Sequence, residues 1–256
     1  MRFSGRVSAR KTILPMFTQH QLENILFLDI ETACIVPEYA QLPERLQPLW
    51  DRKAGRYQSA EPDKSSAQLF FEKAGIHAEF ARVVCISCGY LKFNADQVPQ
   101  LIAKSFYGAD ERSILTDFGG MLDQYTGAKA GRNICAHNGK EFDFPFLGRR
   151  YIVHGLAIPF VLQVQGKKPW EVSFIDTMDL WKFGDYKAYT SLDLLSAILG
   201  IASPKNDIDG SDISRVFWQE KDHERIKTYC EKDVLTTAQV LLRMSRMPLV
   251  PEEAET

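Results

Sequence analysis

The sequence predicts an α/β domain built on a mixed β-sheet. Two observations carry this expectation. Apolar runs of strand length come first along the chain and then alternate with segments of helical periodicity, the order of a mixed-sheet α/β domain. The composition is that of an ordinary globular chain, with 45% hydrophobic and 25% charged residues over 256 positions, enough for a substantial core.

Strand signals fall at 25–30, 83–91, around 102–107, at 134–137 and at 172–175. From Asp110, a natural N-cap, the residues Ile114, Leu115, Phe118, Met121, Leu122 and Tyr125 follow the period of an amphipathic helix. "FPFLGRRYIVHG" reads as a helix closed by Gly155. In "TSLDLLSAILG", Thr190 and Asp193 have capping-box spacing, and Gly200 suits the position after the helix. "HERIKTYCEKDVLTTAQVLLRM" contains neither Gly nor Pro and is expected to form one helix. Residues 37–81 break the pattern: they are polar and punctuated by Pro37, Pro43, Pro48 and Pro62. The segment is too long for a structureless loop, so short helices are expected in it. It leaves directly from the first strand, either as a wall or lid over what that strand carries or as a solvated excursion. The expected organisation is an N-terminal extension at 1–24, a folded domain at 25–248 holding the 37–81 insertion, and a tail at 249–256.

A formal net charge of −2 excludes a global basic field, although gripping a few phosphates in one cleft needs none. No apolar stretch reaches the roughly 18 residues of a membrane span, so no membrane partner is expected. The cysteines number five, an odd count, and Cys85, Cys135 and Cys230 sit in apolar runs; free thiols in a reducing, cytoplasmic setting are expected rather than disulfides. "MRFSGRVSARKT" carries four cations and no acid but lacks the apolar core of a secretory signal. A transit peptide and a disordered start are both open, and the disordered start is preferred.

The first strand poses a chemical problem. In "ILFLDIETAC", residues 25–34, Asp29 and Glu31 are two apart and so share one face of the strand. Adjacent carboxylates repel and resist burial, so either a cation lies between them or they open to water at a strand end. Two further acids stand in apolar settings. Asp143 opens a helix in "ICAHNGKEFDFPFLGRRY", between Phe142 and Phe144 and five residues after Asn138. In "TYCEKDVLTTAQ", Tyr229 and Asp233 lie four apart on one helical face. Singly, each has a bland explanation: Asp143 as a helix N-terminal carboxylate, Asp233 as an exposed acid beside a half-buried tyrosine.

Together, in this order, "FLDIET", "NGKEFDFPFL" and "YCEKDV" resemble the motifs of the DEDD superfamily of 3′–5′ exonucleases, in the branch whose third motif carries tyrosine. The chain is similar there to predicted exonucleases related to the proofreading domain of family B DNA polymerases, with "VVCISCGY" and "DIDGSDI" as further support. The resemblance spans 25–244 and implies a ribonuclease H-like fold, with a central mixed sheet of about five strands flanked by helices. Many members of the wider superfamily have histidine where Tyr229 stands; His223, ten residues before Asp233, lies off its helical face.

The resemblance also implies roles. Two divalent cations, Mg²⁺ or Mn²⁺, suit the hard oxygen ligands and would supply nucleophile and leaving-group stabilisation for phosphodiester hydrolysis. Asp29 is expected to bridge both ions, with Glu31 and Asp233 completing the nucleophile side. Asp143 is expected to hold the second ion, and Tyr229 to orient the attacking water. Asn138 is expected at the terminal nucleotide; Phe142 packs under the site or against a base. The implied substrate is the 3′ end of single-stranded DNA, with nucleoside 5′-monophosphates as product. An RNA-trimming enzyme, a nucleic-acid-binding module with a dead site and a nucleotide phosphohydrolase are the rival readings. The residues identify no protein partner.

Other features read as structural. Cys85 and Cys88 are three apart in a strand, on opposite faces, which argues against zinc. "DIDGSD", 207–212, lacks calcium-loop spacing and reads as a turn and cap with a potential substrate-side role; Asp176 and Asp179 read as caps. Trp50, Trp170, Trp181 and Trp218 are read as packing residues, and His137 as structural.

Overall fold

The computed structural model describes residues 16–127, 131–172, 174–185, 187–202 and 207–251. The first strand, β1 (Ile25–Cys34), is the centre of a five-stranded sheet. On one side it pairs antiparallel with β2 (Ala81–Phe93), which pairs antiparallel with β3 (Pro99–Tyr107). On the other it pairs parallel with β4 (Asn133–Ala136), which pairs parallel with β5 (Ile175–Asp176). The order is β3-β2-β1-β4-β5, and β2 alone runs against the rest. This is a five-stranded mixed sheet in an α/β domain, as expected from the sequence.

The alternation along β1 sorts the helices onto the two faces of the sheet. Leu26, Leu28 and Ile30 point into a core shared with α4 (Glu111–Gly127) and α5 (Asp143–Val153), through Leu115, Phe118, Phe144 and Leu147. Asp110 starts α4 by accepting from Arg112 N and Ser113 N. Ile25 and Phe27 point the other way, onto the C-terminal helix, and pack against its Val234, Ala238 and Leu241. Burial of one such large apolar side chain stabilises by about 1.5–3 kcal/mol, so both layers contribute substantially.

The folded part begins before residue 25. A short helix, α1 (Gln19–Leu22), is capped by Thr18, and Leu22 is fully buried in the same core as Phe27. The rest of the expected N-terminal extension, residues 1–15, lies outside the described residues, as do 252–256 of the tail. Val250 in that tail exchanges two hydrogen bonds with Gln239.

The insertion forms α2 (Gln47–Gln58) and α3 (Ser66–Lys73). They close on Trp50, which is fully buried edge-on to Phe70 at 5.3 Å and Phe80 at 5.2 Å, with Nε1 donating to Ser66 O. This small core sits on Cys34, the last residue of β1. After β5 come α6 (Thr177–Lys182), α7 (Leu192–Ile198), α8 (Ile213–Arg215), a π-helical turn (Val216–Glu220) and α9 (His223–Met244).

Three local expectations are corrected. β1 does not stop at Ile30 but runs to Cys34, because Thr32, Ala33 and Cys34 re-pair with β2 after a β-bulge. β5 is Ile175–Asp176 rather than 172–175, since only those two residues reach the edge of the short β4. The cap of α7 is Ser191, which accepts from Leu194 N, and not Thr190, whose carbonyl accepts from the His137 ring.

Candidate active site

Asp29 and Glu31 continue the face of β1 that begins with Ile25 and Phe27 and ends with Ala33. That face lies under α9, whose Ile226, Cys230, Val234, Ala238 and Leu241 form an apolar stripe one turn apart. Val234 and Ala238 pack on Phe27, while Ile226 and Cys230 pack near Ala33. The turn of α9 between them, with Tyr229 and Asp233, therefore meets the two carboxylates. Asp29 is the one residue of β1 that is not buried; Glu31 is 7% exposed. The acids are thus mid-strand and largely enclosed, not at a strand end in water.

Asp143 arrives from the opposite layer. β4 ends at Ala136 and pairs with β1 only as far as Phe27, so beyond that point the β4 side of β1 has free backbone groups. The Asp143 carboxylate, at the first turn of α5, accepts from one of them, Ile30 N, at 3.2 Å. The turn before α5 needs two special residues. Asn138 adopts φ 62°, a left-handed conformation that asparagine tolerates better than most side chains, and its carbonyl accepts from Phe142 N. At Gly139 a Cβ would come within 2.4 Å of the Ala136 Cβ. Asn138 Oδ1 is buried without a protein partner. Phe142 packs against the core, 5.4 Å from the Phe146 ring.

The electrostatics follow from this crowding. Burial, then the Asp143 and Asp233 charges, raise the Asp29 carboxyl well above its ordinary value. Burial and Asp29 do the same to Glu31. Burial lifts Asp143 to about 7 and Asp233 to about 6, the latter against the opposing hydrogen bond from Tyr229. The Tyr229 phenol is itself pushed up by burial and by the Asp233 charge, so at neutral pH it is an O–H donor. Among the described residues, no Lys, Arg or His forms an ion pair with any of the four acids. Four converging carboxyls without a cationic partner form a donor set that fits divalent cations.

Three residues around the site escape a reading of the sequence. Cys230 points its thiol at Asp29, with Sγ 3.2 Å from Oδ2 and 3.4 Å from the main-chain oxygen, and its ligand atom lies within 4.8 Å of those of Asp29 and Glu31. Burial raises this thiol, so it acts as a donor to the carboxylate. Asp176 caps α6, as its sequence predicts, but also accepts from Asn138 N at 2.9 Å and Lys140 N at 3.0 Å, fixing the turn that precedes Asp143. Arg150, two turns after Asp143 on α5, is clamped by a bidentate pair to Glu111 at 2.8 and 2.7 Å and donates to Ala78 O. His154 adds a third contact to Glu111.

The remaining candidates are structural. His137 bridges Thr177 Oγ1 and Thr190 O, each at 2.9 Å, and His223 packs on Phe217. Cys85 and Cys88 face opposite layers, and all five cysteines are buried and free. Of the tryptophans, Trp50 is buried as expected, but Trp170 is not a packing residue: it is 77% exposed, with the Lys168 ammonium over its ring.

The central strand, the flanking helix α5 and the C-terminal helix α9 thus each deliver acids to one cluster. The chain belongs to the family of predicted 3′–5′ exonucleases related to the exonuclease domain of PolB, whose model matches residues 75–253. By that membership it is an enzyme of the predicted 3′–5′ exonuclease class. Asp29 and Glu31 precede the matched range, so their membership of the site rests on the geometry above. Among solved structures, the chain is similar to the family B DNA polymerase of the archaeon Pyrobaculum calidifontis, at 15% identity and a TM-score of 0.47, over 87% of this chain and 24% of that one. It is also similar to E. coli exonuclease I in complex with a dA13 oligonucleotide, at 11% identity and a TM-score of 0.41, over 87% of this chain and 40% of that one. The chain thus spans well under half the length of either. No curated protein matches it. Among the described residues, no helix is long and apolar enough to cross a membrane.

Proposed function

We propose that the chain removes nucleotides singly from the 3′ end of single-stranded DNA, releasing nucleoside 5′-monophosphates by a two-metal-ion mechanism of the tyrosine-containing DEDD type. The observation that carries the reading is the convergence of Asp29, Glu31, Asp143 and Asp233 with, among the described residues, no ion pair to any of them. These four would hold two Mg²⁺ or Mn²⁺ ions. When bound, such ions lower the pKa of the attacking water and stabilise charge on the leaving oxygen. Tyr229 keeps its proton and orients the water through its hydroxyl. Asn138 offers the buried amide oxygen of its strained turn to the terminal nucleotide. Phe142 supports the site from the core side. The insertion, residues 37–81, walls the end of β1: the Thr32 hydroxyl, next to Glu31, donates to Gly75 O at 2.7 Å.

The test is incubation of 3′- and 5′-labelled single-stranded DNA and RNA with the protein and Mg²⁺ or Mn²⁺. The 3′ label is expected to appear at once as mononucleotide, the 5′ label as a descending ladder, DNA ahead of RNA, and EDTA to stop both. Substrate that is bound but intact with either ion contradicts the reading.

A further inference from the structure

The insertion carries a charged groove that the acid cluster does not use. Its volume is about 520 Å³, and Arg52, Lys53 and Arg56 of α2 line it together with Leu49, Glu79 and Phe80. Among the described residues none of these three cations forms an ion pair, although Lys64, Lys73, Arg215 and Arg225 elsewhere on the chain all do. The acid nearest in sequence, Asp51, is engaged by the Tyr39 hydroxyl at 2.9 Å. Glu79 is left as the single acid against three bases in the groove.

Helix stability does not account for this arrangement. A cation in the last turn is favourable to the helix dipole, which explains Arg56. Arg52, one turn earlier, is then a like charge at i,i+4, mildly unfavourable on an isolated helix. The groove's position supplies a reason. Phe80, in its wall, accepts from Ile35 N at 2.9 Å, so it sits beside the chain four residues beyond Glu31. At about 3.3 Å per strand residue, that is about 13 Å from the acid cluster. A stacked nucleic-acid strand carries a phosphate about every 3.4 Å, so the groove lies about four nucleotides from the scissile bond.

We infer that Arg52, Lys53 and Arg56 hold the phosphate backbone of the substrate strand upstream of the 3′-terminal nucleotide. The inference rests on the exonuclease reading for the identity of the polyanion. Three charges lining one groove give affinity for a phosphate backbone without base readout.

The test separates binding from cleavage. A fluorescein-labelled single-stranded 12-mer is titrated by anisotropy in EDTA, which blocks turnover, over a series of salt concentrations. Wild type is compared with the triple variant Arg52→Gln, Lys53→Gln, Arg56→Gln; an unchanged melting temperature checks its fold. The slope of log Kd against log salt is expected to become shallower by about 2, from three lost phosphate contacts at about 0.7 each. An unchanged slope overturns the inference. So does loss of phosphatidylserine-vesicle binding in the variant with oligonucleotide binding intact, which would make the groove a membrane contact. Wild type that binds with the steep slope but never cleaves with Mn²⁺ overturns the exonuclease reading while the groove's nucleic-acid contact stands.

Discussion

The Asp143 carboxylate accepts a hydrogen bond from Ile30 N at 3.2 Å, joining the second acidic motif to the strand of the first across 113 residues of sequence. The bond brings a third carboxyl to the strand of Asp29 and Glu31 and satisfies a backbone donor that the short β4 leaves free. Its two functions are separable by substitution. Asp143→Asn retains an oxygen for Ile30 N, whereas Asp143→Ala leaves the buried donor unpaired, at a cost of about 1–3 kcal/mol. In urea denaturation without metal, the Ala variant is expected to be less stable than the Asn variant by that amount. Both are expected to lose Mn²⁺ affinity. Equal stabilities would show that the bond contributes nothing.

The acid cluster makes stability depend on pH in a definite sense. Asp143 at about 7 and Asp233 at about 6 are raised above the ordinary carboxylate range, so the folded protein keeps protons that the unfolded chain has released. Stability from this source is complete below about pH 4 and is lost as pH rises through 6 and then 7. His77, pushed down to about 4 by burial, acts oppositely but only below its unfolded value of about 6.5. Above that pH, melting temperature in EDTA is therefore expected to fall as the cluster ionises, and Mn²⁺ to restore it. The fall should be flatter in Asp143→Asn. A wild-type melting temperature that rises through this interval in EDTA contradicts the assignment.

Arg150 orients the helix that carries Asp143. Both Arg150 and Glu111 are almost fully buried, and the pair, with His154 and Ala78, ties α5 to α4 and to the end of the insertion. Arg150→Met strands the Glu111 charge and is expected to cost about 3–5 kcal/mol by denaturant titration. Adding Glu111→Gln should recover part of that loss. If the double variant is no more stable than the single one, the stranded charge is not the cause.

Tyr229 tests positioning against ligation. Tyr229→Phe keeps the ring on α9 and removes only the hydroxyl, so Mn²⁺ affinity by calorimetry is expected to be unchanged. Turnover is expected to fall by about 10- to 100-fold, the scale of a lost water-orienting contact. Loss of metal affinity would instead assign the phenol to the ligand set.

The sheet was legible in the sequence because its strands are apolar runs, and the long C-terminal helix because its 22 residues contain neither Gly nor Pro. The acids were legible because carboxylates are out of place beside Phe27 and Leu28. What remained hidden depends on distant pairing. The continuation of β1 through Thr32 to Cys34 needs β2, the insertion and Ser214, whose Oγ accepts from Cys34 N at 3.0 Å. The local pattern around Asp176 specifies its cap but not its grip on Asn138, 38 residues away. Cys230 reads as a core thiol, and only the crossing of α9 over β1 brings it to Asp29. Thr190 satisfied the spacing of a cap, but the carbonyl that meets His137 draws its backbone away and leaves Ser191 to start the helix.

The central claim is that the four-carboxylate cluster performs the hydrolysis, and Asp29 is the member whose charge is coupled to each of the other three. The direct measurement is single-turnover release of mononucleotide from 3′-labelled single-stranded DNA at saturating Mn²⁺, wild type against Asp29→Ala. Wild type is expected to release nucleoside 5′-monophosphate from the 3′ end, and Asp29→Ala to be slower by at least about 1,000-fold while remaining folded, consistent with loss of a principal transition-state contact. Cleavage by Asp29→Ala at the wild-type rate would contradict the account.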